Sequence, residues 1–308
     1  MRLVSQQVFG GPEVLELIEA DRPEPMPTEV LVRVHAAGIN PVDWKCRAEE
    51  AYLGDPPYTV GWDVSGVVEE VGLGATGVAV GDEVLGMPWF PREAAAYADY
   101  VTAPSRQFVR KPPGLSHAEA AGLPLAGLTA WQGLVDVAEV QAGQRVLIDG
   151  AAGGVGHLAV QIAKARGAYV VGTASAGKHE FLRSIGVDEP LNYYSPDADP
   201  GELDMVFGAV GEDSDRRWLE FVKPGGLVVG VVSGIPAELA TVAAGRGVRN
   251  AAMLVEPDRI GLLGLTALVK SGQLRVRVER TFLLEEAAEA HRHVETGRVT
   301  GKVVLTMV

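Results

Sequence analysis

The stretch Arg145-Val-Leu-Ile-Asp-Gly-Ala-Ala-Gly-Gly-Val-Gly-His-Leu-Ala-Val-Gln-Ile-Ala-Lys-Ala-Arg-Gly-Ala-Tyr-Val-Val-Gly-Thr-Ala-Ser175 decides the fold. Val146 to Ile148 is a short apolar run and reads as a buried strand. A turn with Gly150, Gly153, Gly154 and Gly156 follows. Val155, Leu158, Ala159, Ile162 and Ala163 then recur at helical spacing, and Tyr169 to Val171 forms a second apolar run. The whole is a strand–turn–helix–strand unit. Glycine at such a turn lets backbone N–H groups approach a pyrophosphate at the positive end of a helix. The glycines carry weight because they follow a strand and open a helix, a context that a plain tight turn does not supply.

The end of the second strand indicates which nucleotide fits. A unit that binds NAD places Asp or Glu there, to accept from the adenosine ribose hydroxyls. This chain has Gly172-Thr173-Ala174-Ser175, then Gly177-Lys178-His179, and no carboxylate before Glu180, which falls in the next expected helix. A hydroxyl, a lysine and the amides of a helix start suit a 2′-phosphate, which an acid would repel. Lys178 alone would pass as an ordinary solvated lysine. With the acid missing, the expectation is NADP(H).

Composition sets the outer limits. At 308 residues the chain exceeds the usual single domain, so two domains are expected. A hydrophobic fraction of 47% and a charged fraction of 22% suit a globular enzyme. The formal charge, 27 − 40 = −13, argues against a nucleic-acid or anionic-membrane surface. Cys46 is the single cysteine, so no intrachain disulfide and no cysteine zinc cluster can form. The run Met1 to Gln7 lacks the apolar core of a signal peptide, and Leu262 to Val269 is too short to span a bilayer. A cytoplasmic enzyme is expected.

The rhythm of the chain changes near residue 115. Before it, strands at Val30 to His35, Val64 to Val71 and Tyr100 to Val101 are punctuated by Pro and Gly, a β-rich pattern. From Ser116, whose spacing to Glu119 makes a capping box, the pattern becomes α/β. A helix through Thr129 to Val137 leads into the glycine unit. Further strands are expected at Asp204 to Val210 and, after the turn Lys223 to Gly226, at Leu227 to Val232. Helix Ile260 to Lys270 follows, then a strand Arg275 to Val278, a helix Leu284 to Glu295 and a last strand Lys302 to Thr306. The economical reading is a doubly wound parallel sheet inserted into a β-rich domain built from both ends: 1–118, then 119–258, then a return segment 259–308.

Several motifs carry a resemblance over nearly the whole chain. They are Ala36-Ala37-Gly38-Ile39-Asn40-Pro41-Val42-Asp43, Gly61-Trp62-Asp63-Val64-Ser65-Gly66, Val80-Gly81-Asp82-Glu83-Val84, the Gly150–Gly156 turn and Gly301-Lys302-Val303-Val304-Leu305. The sequence resembles the zinc-independent quinone oxidoreductase branch, which includes zeta-crystallin, of the medium-chain dehydrogenase/reductases. That resemblance implies a GroES-like catalytic domain, a Rossmann domain and an active site in the cleft between them. It also implies a homodimer paired through the last Rossmann strand, here near Val248 to Val255. The cofactor-binding residues expected are Gly150, Ala151, Gly153, Gly154, Val155 and Gly156 in the turn and Thr173, Ser175 and Lys178 after it. Tyr193 (with Tyr194 as the neighbouring register), Val210 and Lys302 complete the set.

The same resemblance implies chemistry without zinc. Zinc-dependent relatives have a cysteine where this chain has Asn40 and a His-Glu pair where it has Trp62-Asp63. The histidines His35, His117, His157, His179, His291 and His293 form no ligand pattern with Cys46. Cys46 reads as a small packing residue. Asn40 can donate to a substrate carbonyl or fix the nicotinamide, and a loop asparagine bonding its own backbone before Pro41 fits the same position. Tyr52 is the candidate proton donor by resemblance to enoyl reductases, although a packed tyrosine would read the same. Asp43 is expected to brace the loop. Trp44, Lys45 and Trp62 are expected to line the substrate cleft, although a core tryptophan would also fit position 62.

Three functions are consistent with these residues. The first is an NADPH-dependent, metal-independent reductase of quinones or α,β-unsaturated carbonyl compounds, acting by hydride transfer on a small molecule. The second is an enoyl-thioester reductase of fatty-acid or polyketide metabolism. The third is an NADPH-binding sensor without turnover.

Overall fold

The structure, a computed structural model, describes residues 1–231 and 236–307. The chain divides into two compact units. One comprises Met1–Leu128, Glu256–Lys270 and Val276–Val308, the other Thr129–Val255 and Ser271–Arg275.

The first unit is built on a mostly antiparallel seven-stranded sheet. Its path runs Val278–Leu283, Lys302–Thr306, Glu29–Gly38, Asp63–Val71, Glu83–Gly86, Phe108–Arg110, and Tyr100–Pro104 pairs with Glu29–Gly38 as well. The long strand Glu29–Gly38 is buried along most of its length, which explains its run of Val, Leu and Ala. Register places the later site residues. Val304 pairs with Gly38 and Leu305 with Ala37, so two residues back along the antiparallel pair Lys302 comes opposite Asn40. Gly38 also pairs with Asp63 on its other side. A Cβ on Gly38 would sit 2.8 Å from Asp63 Oδ2, so glycine there makes room for the carboxylate. The helix His117–Ala121 starts at the expected capping box, with the Glu119 N–H donating to Ser116 Oγ and the Ser116 N–H to Glu119 Oε2.

The second unit is a six-stranded parallel sheet in the order Glu189–Asn192, Tyr169–Ala174, Arg145–Ile148, Leu203–Gly208, Val222–Gly230, Arg249–Ala252. The chain starts in the middle, runs to one edge and then crosses to the other side. The switch point therefore falls between Arg145–Ile148 and Leu203–Gly208, the place where such sheets bind ligands beyond the carboxyl ends of their strands. Helix Gly156–Ala165 packs on the sheet through Leu158, Ala159, Ile162 and Ala163, all buried. On one face Leu147, Val171, Val206, Val228, Trp218 and Leu239 form a continuous apolar cluster.

Three sequence expectations shift. The segment Lys223 to Gly226, expected as a turn, belongs to the strand Val222–Gly230, whose pairing with Leu203–Gly208 carries a register irregularity. Val232 lies outside the described residues. The strand expected at Arg275 to Val278 instead begins at Val278 and runs to Leu283, pairing in parallel with Lys302–Thr306. Its partner is local in space but distant in sequence, so side-chain alternation alone misplaced its start. The helix expected from Thr129 begins earlier, at Pro124, and passes at Gln132 into a wider helical turn through Val137.

Candidate cofactor-binding turn and buried asparagine site

In the second unit the glycine turn is shaped from within. Gly150 has φ +65°, a left-handed conformation suited to glycine, and its N–H donates to Thr173 Oγ at 2.9 Å. The Ala151 N–H donates to Thr173 O at 2.9 Å and the Gly153 N–H to Gly150 O at 2.8 Å. A Cβ on Gly153 would meet only Gly150 O, at 3.2 Å, whereas one on Gly156 would run into backbone of the turn, including Ala151 Cα at 2.8 Å. Gly156 therefore serves close packing of helix on turn, and Gly153 keeps a surface clear. Gly154 and Val155 complete the turn before the helix opens at Gly156.

Thr173 is fully buried, so its hydroxyl acts inside the turn: it accepts from Gly150 and donates to Asp149 Oδ1 at 2.5 Å. Asp149, which the sequence reading passed over, also accepts from the Trp218 indole at 3.2 Å. Burial pushes its carboxyl above the usual range, opposed by the donors around it. Asp215, beside it on the helix Glu212–Leu219, is raised to about 7, first by burial and then by the charges of Asp149 and Glu212.

The other expected cofactor residues line the carboxyl ends of neighbouring strands. Asn192 pairs in parallel with Ala174, so the next residues, Tyr193 and Ser175, leave the sheet side by side. Ser175 opens a short turn to Lys178, whose N–H returns to Ser175 O at 2.9 Å. Tyr193 is 39% exposed and its ring lies 4.3 Å from that of Tyr194; Arg217 pins its carbonyl at 2.6 Å. Val210 is exposed just past Leu203–Gly208, and its methyl lies 3.0 Å from where a Cβ on Gly150 would stand. Ser175, Lys178, Tyr193 and Val210 thus lie along one edge with the glycine turn. Lys302 lies in the first unit.

There Lys302 is buried beside Asn40. Its ammonium donates to Ile39 O at 2.8 Å and to Asn40 Oδ1 at 2.5 Å, and lies 3.5 Å from Asp63 Oδ2. The Asn40 amide nitrogen donates to the same Asp63 oxygen at 2.9 Å, and Asp63 Oδ1 accepts from the Leu125 N–H at 2.6 Å. Burial pushes Asp63 up and Lys302 down. The surroundings favour the charged pair. Three acceptors surround Nζ, which only an ammonium satisfies, and three donors surround the carboxylate. The Asn40 side chain is thus held across the sheet, by Asp63 and Lys302.

Asp43 braces that helix, Pro41–Ala48. Its Oδ2 accepts from the Asn40 N–H at 2.6 Å and from the Tyr97 hydroxyl at 3.1 Å, while Oδ1 has no hydrogen-bond partner. Burial raises Asp43 to about 7, against the Asn40 N–H. Behind Tyr97 lies a polar chain the sequence reading did not find, buried as far as Arg47: His291 Nε2 is 3.1 Å from the Tyr97 hydroxyl, and Arg47 reaches His291 Nδ1 at 3.2 Å and the more exposed Glu295 at 2.7 Å. Arg47 can only donate, so Nδ1 accepts and the imidazole proton sits on Nε2. Burial and then the Arg47 charge lower His291 to about 3.

Tyr52 is 49% exposed, with its ring 5.9 Å from Phe90. Trp44 and Lys45 are half-buried, the Lys45 ammonium 5.9 Å from the Trp44 ring centre. Trp62 departs from expectation: it is fully buried, donates its indole N–H to Arg92 O at 2.6 Å and packs edge-on against Phe90, as a core residue does. Cys46 is fully buried and burial pushes its thiol up, as suits a packing residue. Among the described residues no three His, Cys, Asp or Glu side chains come together to hold a metal ion.

Residues 26–113 match the alcohol dehydrogenase GroES-like domain family and residues 185–305 the zinc-binding dehydrogenase family. The chain is similar to the quinone oxidoreductase structure from Coxiella burnetii, at 37% identity with a TM-score of 0.94 over 100% of this chain and 99% of that one. It is 34% identical to the NADPH-dependent alkenal/one oxidoreductase of Arabidopsis thaliana, over 96% of this chain and 77% of that protein. It is also 37% identical to a pikromycin polyketide synthase component of Streptomyces venezuelae, over 92% of this chain but only 8% of that much longer protein. With its two matched domains, its switch-point glycine turn and these full-length similarities, the chain belongs to the quinone oxidoreductase branch of the medium-chain dehydrogenase/reductase family.

Proposed function

We propose that the protein is an NADPH-dependent reductase of quinones or α,β-unsaturated carbonyl compounds, working without a metal. The observation that carries this reading is the glycine turn at the switch point, with Ser175, Lys178 and Tyr193 beside it and no carboxylate at the end of Tyr169–Ala174. The cradle fits a dinucleotide, since a side chain on Gly153 would fill the space before the turn. Ser175, Lys178 and Tyr193 would take the 2′-phosphate and the backbone N–H groups of the turn the pyrophosphate. When bound, NADPH supplies a hydride from C4 of its nicotinamide to the acceptor. Asn40 donates a hydrogen bond to the acceptor's carbonyl oxygen, where negative charge develops. Tyr52, exposed on its loop, is the side chain we assign to protonation, and Trp44 and Lys45 to the walls around the acceptor. The exposed outer strand Arg249–Ala252 supports a homodimer paired along that edge, and the buried single cysteine accords with a cytoplasmic place.

The similarity to the structure of the CurK enoyl reductase, at 29% identity with a TM-score of 0.88, favours enoyl thioesters as a second substrate class. The test is NADPH oxidation with a panel of quinones, enones and enoyl-CoA esters. Quinone or enone turnover is expected to dominate. Preference for the thioesters would transfer the assignment to the second class, and NADPH binding with no turnover on any acceptor would refute a reductase.

A further inference from the structure

Resting on the role proposed for Asn40, we infer that Asp63 and Lys302 form a positioning pair that fixes the Asn40 amide in one orientation with a single N–H left to donate. An asparagine amide offers two N–H donors and one carbonyl oxygen, and its two ends differ only in what they meet. Lys302 as an ammonium can only donate, so the end facing it must be Oδ1, at 2.5 Å. Asp63 as a carboxylate can only accept, so the end 2.9 Å from it must be Nδ2. The flip is therefore dictated by two opposite charges. The Lys302 cation on Oδ1 also draws electron density from the amide, which makes its N–H groups stronger donors. One Nδ2 hydrogen goes to Asp63. The second is the only donor of this side chain that remains.

The pair is built for this placement. Lys302 arrives from the C-terminal strand, 262 residues away in sequence, through the register that sets it opposite Asn40. Asp63 is locked by the Leu125 N–H on its other oxygen. Both charged side chains are almost completely buried, at 0% and 3% exposure. With Asn40 itself 2% exposed, little water competes for the amide. Lys302 is thus a positioning residue, acting through Asn40.

The test is a kinetic cycle joined to a spectroscopic one. The variants are Lys302→Met, Asp63→Asn, Asn40→Ala and the two doubles that combine Asn40→Ala with each of the others. Kinetics are followed with NADPH and a small enone. Asn40→Ala should lower kcat about 100-fold, as loss of a donor to developing charge does, with the KM for NADPH changed less than about threefold. Lys302→Met and Asp63→Asn should lower kcat comparably, and each double should be no slower than Asn40→Ala alone. Fold-losses that multiply in the doubles would overturn the inference.

The spectroscopic arm needs no turnover. The chain has three asparagines, Asn40, Asn192 and Asn250, so protein labelled with 15N-asparagine gives three side-chain amide pairs. The pair that Asn40→Ala removes should shift in Asp63→Asn, whose new amide adds a fourth pair, and in Lys302→Met, while the pairs of Asn192 and Asn250 stay. An unmoved Asn40 pair would overturn the inference. If Lys302→Met does not fold, the near-isosteric Asp63→Asn carries both arms. A wild type inactive on every acceptor would sink the reductase reading, and the amide shifts would still decide the positioning.

Discussion

Valine substitutions at Gly153 and Gly156 should separate cofactor binding from folding. At Gly156 the new Cβ would strike the Gly150 carbonyl and come within 2.8 Å of Ala151 Cα and of Gly150 C, all backbone atoms that cannot rotate away. The helix Gly156–Ala165 must then lift from the turn, an overpacking cost of about 1–3 kcal/mol. At about 3 °C per kcal/mol for a unit of this size, Tm should fall by roughly 3–9 °C. At Gly153 the Cβ meets only the Gly150 carbonyl at 3.2 Å, which a shift of a few tenths of an ångström relieves. The fold should lose no more than about 1 kcal/mol, but the valine stands where the pyrophosphate would approach. NADPH at about 100 times its Kd should stabilise the wild type by about 2.7 kcal/mol, roughly 8 °C. Scanning calorimetry with and without NADPH reads both effects. Gly153→Val should melt near the wild type without cofactor and lose the cofactor shift, whereas Gly156→Val should melt low in either condition. A Gly153→Val protein that keeps its shift would show that the phosphates lie elsewhere, and a Gly156→Val protein as stable as wild type would refute the packing argument.

Lys178→Ala should weaken NADPH by about 10- to 150-fold, the worth of one charge-assisted phosphate contact, and leave NADH affinity unchanged; fluorescence titration with both nucleotides checks it, and equal losses would remove Lys178 from the site. Dialysis against a strong chelator should leave turnover intact, because an ammonium already stands between Asn40 and Asp63; inactivation that zinc reverses would contradict the assignment. His291 has a folded pKa of about 3, below the unfolded value of about 6.5, so it stays neutral in the fold while the unfolded chain takes up a proton. Its stabilising contribution is complete above that unfolded value and is lost as pH falls below it. The stability gap between wild type and His291→Gln should therefore narrow from pH 7 to pH 5 by up to about 2 kcal/mol in urea melts, and a gap independent of pH would mean that His291 takes up its proton as readily in the fold as in the unfolded chain.

The nucleotide unit was legible because its determinants are local. A strand, four glycines and an apolar helix face lie within one short stretch, and the periods of 2 and 3.6 are written in neighbouring residues. Even the side-by-side exit of Ser175 and Tyr193 follows from a parallel pairing of consecutive strands. Trp62 shows the limit: in sequence a cleft wall and a core residue look alike, and only burial separates them. The polar chain Asp43–Tyr97–His291–Arg47–Glu295, buried as far as Arg47, left no sequence signal, since its hydrogen-bonded partners lie up to 248 residues apart. The motif around Lys302 did not say what it meets within its own domain, and the antiparallel register of the last strand sets it against Asn40. Sequence thus determined the elements and the residue types, because helical and strand periods are short-range. Which buried charges meet was decided by tertiary structure, because a hydrogen bond depends on distances that only sheet register and packing set.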